Sequence, residues 1–126
     1  MENHQKVNDR SPHEIGVMGE EIAQNYLEKK KFRIAKKGFR LYRGEIDLIA
    51  YDKETLVFVE VKTRSPGALG LPEESVNKRK QGQIRKIAEG YLALHGLDQV
   101  ECRFDVISII INEIGDYSLK HYEDAF

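Results

Sequence analysis

Cysteine is nearly missing from this chain: Cys102 is the single thiol in 126 residues. One thiol excludes an internal disulfide and a multi-cysteine zinc site. It stands at the start of an apolar run, which suits a buried structural role, and a reducing cytoplasm is the expected compartment. Long apolar runs are missing too. No stretch of 18 apolar residues occurs and the N-terminal segment is polar, so neither a transmembrane helix nor a signal peptide is expected. Internal repeats, a Gly-rich phosphate loop and a metalloprotease helix signature are all lacking. Nor is there an excess of charge of either sign, since the net charge is −1.

What is present fits one soluble α/β domain, with 40% hydrophobic and 33% charged residues. Residues 1–10 are polar and read as a disordered tail, and residues 11–126 as a single domain. The charges are segregated. Lys29 to Arg43 carries eight basic residues, Arg40 and Arg43 among them, and no acidic one. Lys78 to Lys86 adds five more, including Lys80, whereas Asp98 to Phe126 holds seven acidic residues against two basic ones. Such an asymmetry allows a positive face on a nearly neutral protein, although any one charge run is more simply a solvated surface.

Ser11-Pro12-His13-Glu14 is a helix start, with Ser11 as N-cap, Pro12 in the first turn and Glu14 completing a capping box. The helix should run to about Lys30 and bury Ile15, Met18, Ile22, Tyr26 and Leu27. Gly16 and Gly19 predict close packing on a sheet. Glu20 lies at the border of the buried stripe, where a carboxylate can reach over a sheet edge. His4 and His13 read as surface residues. Phe32 to Leu41 predicts a basic strand with Gly38 as a bend or bulge. Thr63 to Pro72 predicts a substrate-contacting loop, punctuated by Pro66, Gly67, Gly70 and Pro72. A second helix starting near Glu73 or Ser75 should end at His95-Gly96. Val100 to Ile111 predicts a further strand and Tyr117 to Tyr122 a short edge strand. The order is helix, three strands, helix, strand and one further short strand: a small mixed sheet flanked by helices.

The chain is organised around Gly44-Glu-Ile-Asp-Leu-Ile-Ala50 and Leu56-Val-Phe-Val-Glu-Val-Lys62. These read as two strands joined by a polar loop, Tyr51 to Thr55. Asp47, Glu60 and Lys62 stand inside apolar runs where a core strand carries no charge. A loop symmetric about Lys53-Glu54 sets paired positions to a constant sum, placing Asp47 opposite Glu60 and Glu45 opposite Lys62. Lys-Glu is a poor two-residue hairpin turn, and a loop of three or five residues would shift this register by one. Opposed carboxylates about 5 Å apart repel by about 3 kcal/mol at an effective dielectric of ~20. A divalent cation relieves that repulsion. Asp47 and Glu60 would offer oxygens to Mg²⁺ or Mn²⁺, with the Val61 carbonyl as a third ligand. Lys62 shares the face of Glu60 and could orient a water or stabilise developing charge, and Arg64 could clamp a phosphate. A Glu-x-Lys triplet alone is more often a solvated ion pair. Asp47 on the neighbouring strand gives the pattern its weight.

Taken together, Gly19-Glu-Glu-Ile-Ala23, Gly44 to Ala50, Val57-Phe-Val-Glu-Val-Lys-Thr-Arg64, Lys80-Gln81, Arg103-Phe-Asp-Val106 and Ala125-Phe126 resemble the YraN-like bacterial family. They also resemble the wider PD-(D/E)XK nuclease superfamily, with its restriction-endonuclease-like fold (α-β-β-β-α-β), and archaeal Holliday-junction resolvases. The resemblance covers nearly the whole chain after residue 13. It implies a metal site at Asp47 and Glu60, a catalytic Lys62, Glu20 as a further acidic member and Gln81 as a second-helix residue near the site. The family's usual Pro before the Lys-Gln pair is replaced, since Asn77-Lys78-Arg79 precedes Lys80, which bears on how that helix begins.

The expected activity is Mg²⁺- or Mn²⁺-dependent hydrolysis of DNA phosphodiester bonds, with branched DNA as a candidate substrate. Arg40, Arg43, Arg64, Lys80 and Gln81 would face the nucleic acid. A homodimer would follow from the likeness to enzymes that cut symmetric junctions. The alternatives are a catalytically silent nucleic-acid-binding module of the same fold and an interaction protein whose hairpin charges are only structural.

Overall fold

In the computed structural model, residues 9–65 and 76–126 are described. The elements are α1 (Pro12–Lys29), β1 (Arg33–Leu41), β2 (Gly44–Asp52), β3 (Thr55–Arg64), α2 (Lys78–His95), β4 (Cys102–Ile111) and β5 (Tyr117–Tyr122). The five strands form one sheet in the order β1-β2-β3-β4-β5. Only the β3–β4 pair is parallel, and α2 makes the crossover between them. The expected α/β class with a small mixed sheet and flanking helices is what the chain adopts, in the order α-β-β-β-α-β-β.

Local chemistry explains the helix ends. Ser11 accepts from the Glu14 amide and Glu14 accepts from the Ser11 amide, so the capping box forms as expected. α2 begins later than the sequence suggests. Asn77 is its N-cap, accepting from the Lys80 amide, and the helix opens at Lys78. The substitution of the expected proline therefore leaves a side-chain cap at the helix start. Gly96, at φ 64°, closes α2 as expected. The β3 strand includes Thr63 and Arg64, where the sequence predicts loop, and Pro66, Gly67, Gly70 and Pro72 lie outside the described residues. So do His4 and most of the N-terminal tail. His13 is exposed.

The two faces of the sheet carry separate cores. Val57, Val59 and Val61 of β3 pack with Leu48, Ala50, Ile107 and Ile109 under Ala23 and Leu27 of α1. Leu56 and Phe58 pack with Ile46, Ile49 and Val106 under Ile84, Ile87 and Tyr91 of α2. β3 is buried on both faces, as its doubly apolar sequence requires. Gly19 allows α1 to approach, since a Cβ there would lie 1.7 Å from Thr63 Oγ1. Gly16 does not share this role, because a Cβ would meet nothing within 4 Å.

The β2–β3 register is the expected one, from Leu48 opposite Val59 to Asp52 opposite Thr55. The connection is the tight turn Lys53-Glu54 rather than a five-residue loop, and Lys53 takes a left-handed φ of 57°. The bulge in β1 falls between Ile34 and Lys36, not at Gly38, although Gly38 adopts φ 61°. Cys102 is half-buried rather than fully buried, and burial still pushes its thiol up.

Candidate metal and nucleic-acid site

The regular β2–β3 pairing stops at Leu48–Val59, one position short of Asp47 and Glu60. At the same place the alternation of β2 reverses. Ile46 and Ile49 both belong to the α2 core, while Leu48 and Ala50 belong to the α1 core. The break at Asp47 changes what its side chain does. Instead of simply facing Glu60 across the ladder, the carboxylate takes the place of a backbone acceptor: Oδ2 accepts from the Val61 amide at 2.8 Å. Asp47 is thus held by β3 itself. Glu45, expected opposite Lys62, makes an ion pair at 3.3 Å with Arg40 on β1.

Glu60 is buried, at 6% exposure. Its Oε1 lies 3.9 Å from Lys62 Nζ and 3.7 Å from Lys80 Nζ. Its Oε2 is buried with no hydrogen-bond partner. Burial first, and then the Asp47 carboxylate, push the Glu60 carboxyl up to about 8, against the pull of the two lysines. Burial and the Lys80 ammonium push Lys62 down. The site therefore contains a carboxylate whose charged form lacks enough positive partners, which is the local condition a cation would relieve.

Glu20 sits above this end of the sheet on α1, one residue from the Gly19–Thr63 contact. Burial, Asp47 and Glu45 raise its carboxyl, so it shares their field. Among the described residues no three His, Cys, Asp or Glu side chains gather in one metal-holding group. The side chains that converge are Asp47 and Glu60, with Glu20 at their margin. One or two carboxylates are the usual protein contribution to a Mg²⁺ site, and the orphaned Oε2 of Glu60 has the chemistry for it. The residues present fit the expected cation.

The expected nucleic-acid residues divide. Lys80 is turned into the site against Glu60. Arg64 is half-buried at the end of β3, two residues beyond Lys62. Arg40 and Arg43 stand at the other side, around the β1–β2 turn, and line a cavity of about 410 Å³ with Leu41, Gly44 and Glu45. Gln81 is spent differently: its amide donates to the Val76 carbonyl at 3.1 Å, and it borders a cavity of about 550 Å³ beside Val106, the β4 partner of Glu60.

Two features were missed in the sequence. Ser108 pairs with Lys62 on β4, and its buried Oγ has no partner. A serine within Val106-Ile-Ser-Ile-Ile-Ile111 was the available signal. The second is the role of Arg103-Phe-Asp-Val106. Asp105 is fully buried and accepts two bonds from Arg103, at 2.9 and 3.0 Å, and one from the Asp124 amide. His121 Nε2 lies 2.7 Å from Asp105, its Nδ1 lies 3.0 Å from the Tyr26 hydroxyl, and Arg103 also reaches Asp52 at 3.0 Å. This network ties α1, β2, β4 and β5 together on the face away from Glu60.

The fold and site define an α/β protein whose central hairpin carries a buried Glu60 beside a half-buried Asp47, with a lysine, at one end of a mixed sheet. Residues 19–109 match Uncharacterised protein family UPF0102. Relatives include a UPF0102 protein of Chlorobium phaeobacteroides, 46% identical over 120 residues, covering 91% of this chain and 94% of the relative. Another, from Alkaliphilus oremlandii, is 46% identical over 114 residues, 89% of this chain and 97% of its own. A third, from Geobacter sulfurreducens, is 44% identical over 112 residues, 89% and 88%. The chain belongs to the UPF0102 (YraN-like) family. No helix among the described residues is long and apolar enough to cross a membrane.

Proposed function

We propose that this protein is a metal-dependent endonuclease of the PD-(D/E)XK type, related to Holliday-junction resolvases, that hydrolyses DNA phosphodiester bonds. The observation that carries the reading is the buried, unpartnered Oε2 of Glu60 next to Asp47, at the end of a strand that continues into Lys62. Asp47 and Glu60, with the Val61 carbonyl, would hold Mg²⁺ or Mn²⁺, and Glu20 would add negative field from α1. When bound, such an ion acidifies water and offsets charge on a phosphate.

The chain's own groups do the rest. The Val61 amide fixes the orientation of Asp47. Lys62, half-buried and with a depressed pKa, would orient the attacking water or stabilise developing charge. Lys80 and Arg64 would contact phosphate oxygens flanking the scissile bond, and Arg40 and Arg43 would extend positive charge along the β1–β2 turn. Two such sites would be needed to cut a symmetric junction, so a homodimer goes with this reading.

A second reading has one observation in its favour: Lys62 and Lys80 already approach Glu60, so its charge is partly balanced from within the chain. A binding module without turnover would have that arrangement. The test is thermal melting against added Mn²⁺ or Mg²⁺, followed by cleavage of duplex, flap and four-way-junction DNA. The expected result is stabilisation by metal that disappears in Asp47→Ala and Glu60→Ala, and cleavage that is lost in Lys62→Ala. No metal response in the wild type removes the main support for the nuclease. Binding without cleavage in either metal favours the module.

A further inference from the structure

The β1–β2 turn, Tyr42-Arg43, is conformationally costly. Both residues have left-handed φ values, 52° and 60°, in the positions of a two-residue hairpin that asparagine and glycine usually occupy. Tyr42 is also 56% exposed. Strained backbone of this kind clusters at active sites and ligand clamps. The turn is docked on α2 at two glycines. A Cβ on Gly44 would lie 2.6 Å from Ile87 and 2.9 Å from Gln83. A Cβ on Gly90 would lie 2.3 Å from Leu41 and 3.1 Å from the Tyr42 ring. The ring is therefore seated against a helix with Lys86 over it, and the residue as a whole is more than half exposed. Lys86 Nζ stands 5.2 Å from its centroid, and the exposed Arg40 and Arg43 are its neighbours on the turn.

We propose that Tyr42 is a stacking platform for an unpaired base of the nucleic acid whose backbone enters the Glu60 site. This rests on the nuclease reading and narrows its substrate class. An aromatic face surrounded by cations is how proteins hold single-stranded nucleic acid without reading sequence. The bases of a continuous duplex are stacked on one another and cannot use it. Flaps, frayed ends and junction crossovers can. The distance follows from α2: the ring meets Lys86 and Gly90, six and ten residues from Lys80, about 9–15 Å along the helix at 1.5 Å per residue. At about 3.4 Å per stacked nucleotide, the base on Tyr42 would lie roughly three to four nucleotides from a phosphate held by Lys80. The platform thus sets the cut at a short, fixed distance from a branch.

The experiment measures binding in a chelator, where no metal contributes, using fluorescent duplex, flap and four-way-junction DNA. A 2-aminopurine placed four nucleotides from the expected cleavage position reports stacking. Tyr42→Ala should weaken flap and junction binding about tenfold, leave duplex binding within about twofold, and abolish the fluorescence change. Tyr42→Phe should behave as wild type. Gly90→Ala, which displaces the ring without removing it, should resemble Tyr42→Ala, with melting curves checking that each variant is folded. If Tyr42→Ala binds flap and junction as tightly as wild type, or loses duplex equally, the platform is wrong while the nuclease reading stands. If the wild type binds none of the three DNAs in chelator even at low salt, the platform fails, while the nuclease reading stands or falls on metal stabilisation and cleavage.

Discussion

The Asp47 carboxylate accepts the Val61 amide at 2.8 Å, joining β2 to β3 through a side chain where the backbone ladder ends. One residue of the candidate site therefore has two roles, as a structural acceptor and as a charge. The two are separable. Asp47→Asn keeps an oxygen for the Val61 amide and should stay close to wild-type stability without metal. Asp47→Ala leaves that amide unpaired and should cost about 1–3 kcal/mol in urea unfolding. Both should lose stabilisation by added Mn²⁺. Equal stability of the two variants in chelator would mean that the bond to Val61 contributes nothing.

Glu60→Gln should stabilise the metal-free protein. The wild-type carboxyl is pushed up by burial and by Asp47, so its neutral form suits the folded state better than its charge does. A neutral isostere removes that conflict. A gain of about 1 kcal/mol would appear as a rise in Tm of roughly 3–5 °C in chelator for a chain of this size. A lower Tm would mean that the contacts with Lys62 and Lys80 outweigh the repulsion.

Gly16 and Gly19 should respond oppositely to alanine. Gly19→Ala drives a methyl group into Thr63 and should destabilise by about 1–3 kcal/mol despite its better helix propensity. Gly16→Ala meets nothing and should gain up to about 1 kcal/mol from propensity alone. Chemical denaturation of the two variants checks both.

Asp105 governs the acid limb of stability. Burial raises its carboxyl, but the bonds from His121, Arg103 and the Asp124 amide outweigh that, and its pKa is lowered in the fold. With the folded value below the unfolded one, the contribution is present above about pH 4 and is lost as pH falls through the folded value. Asp105→Asn should cost about 1–3 kcal/mol at neutral pH, because the bonds from Arg103 lose their charged acceptor while Arg103 keeps Asp52. It should also flatten the loss of stability below pH 4. An unchanged acid limb would assign acid unfolding to other carboxylates.

The sheet and its site were unequally legible. The capping box, the hairpin register and the double burial of β3 follow from local rules, because caps, turns and strand periodicity act over a few residues. The start of α2 was misread because a side-chain cap at Asn77 can open a helix as well as the residues before it. Gly16 was misread because propensity marks a glycine as costly without saying whether anything stands next to it. Ser108 carries only the weak signal of one serine in an apolar run, and the Asp105–His121–Tyr26 chain is invisible locally because its members are far apart in sequence.

By itself, the sequence determined that Asp47, Glu60 and Lys62 lie on adjacent strands within apolar surroundings, because period-two alternation and a symmetric turn leave few other arrangements. Only the tertiary structure decided that Asp47 breaks the ladder to bond Val61, that Lys80 arrives from α2 at Glu60, and that one oxygen of Glu60 is left alone. Those outcomes depend on how closely two helices pack on opposite faces of the sheet. That packing is set by side-chain volumes summed over both cores, which no local pattern encodes.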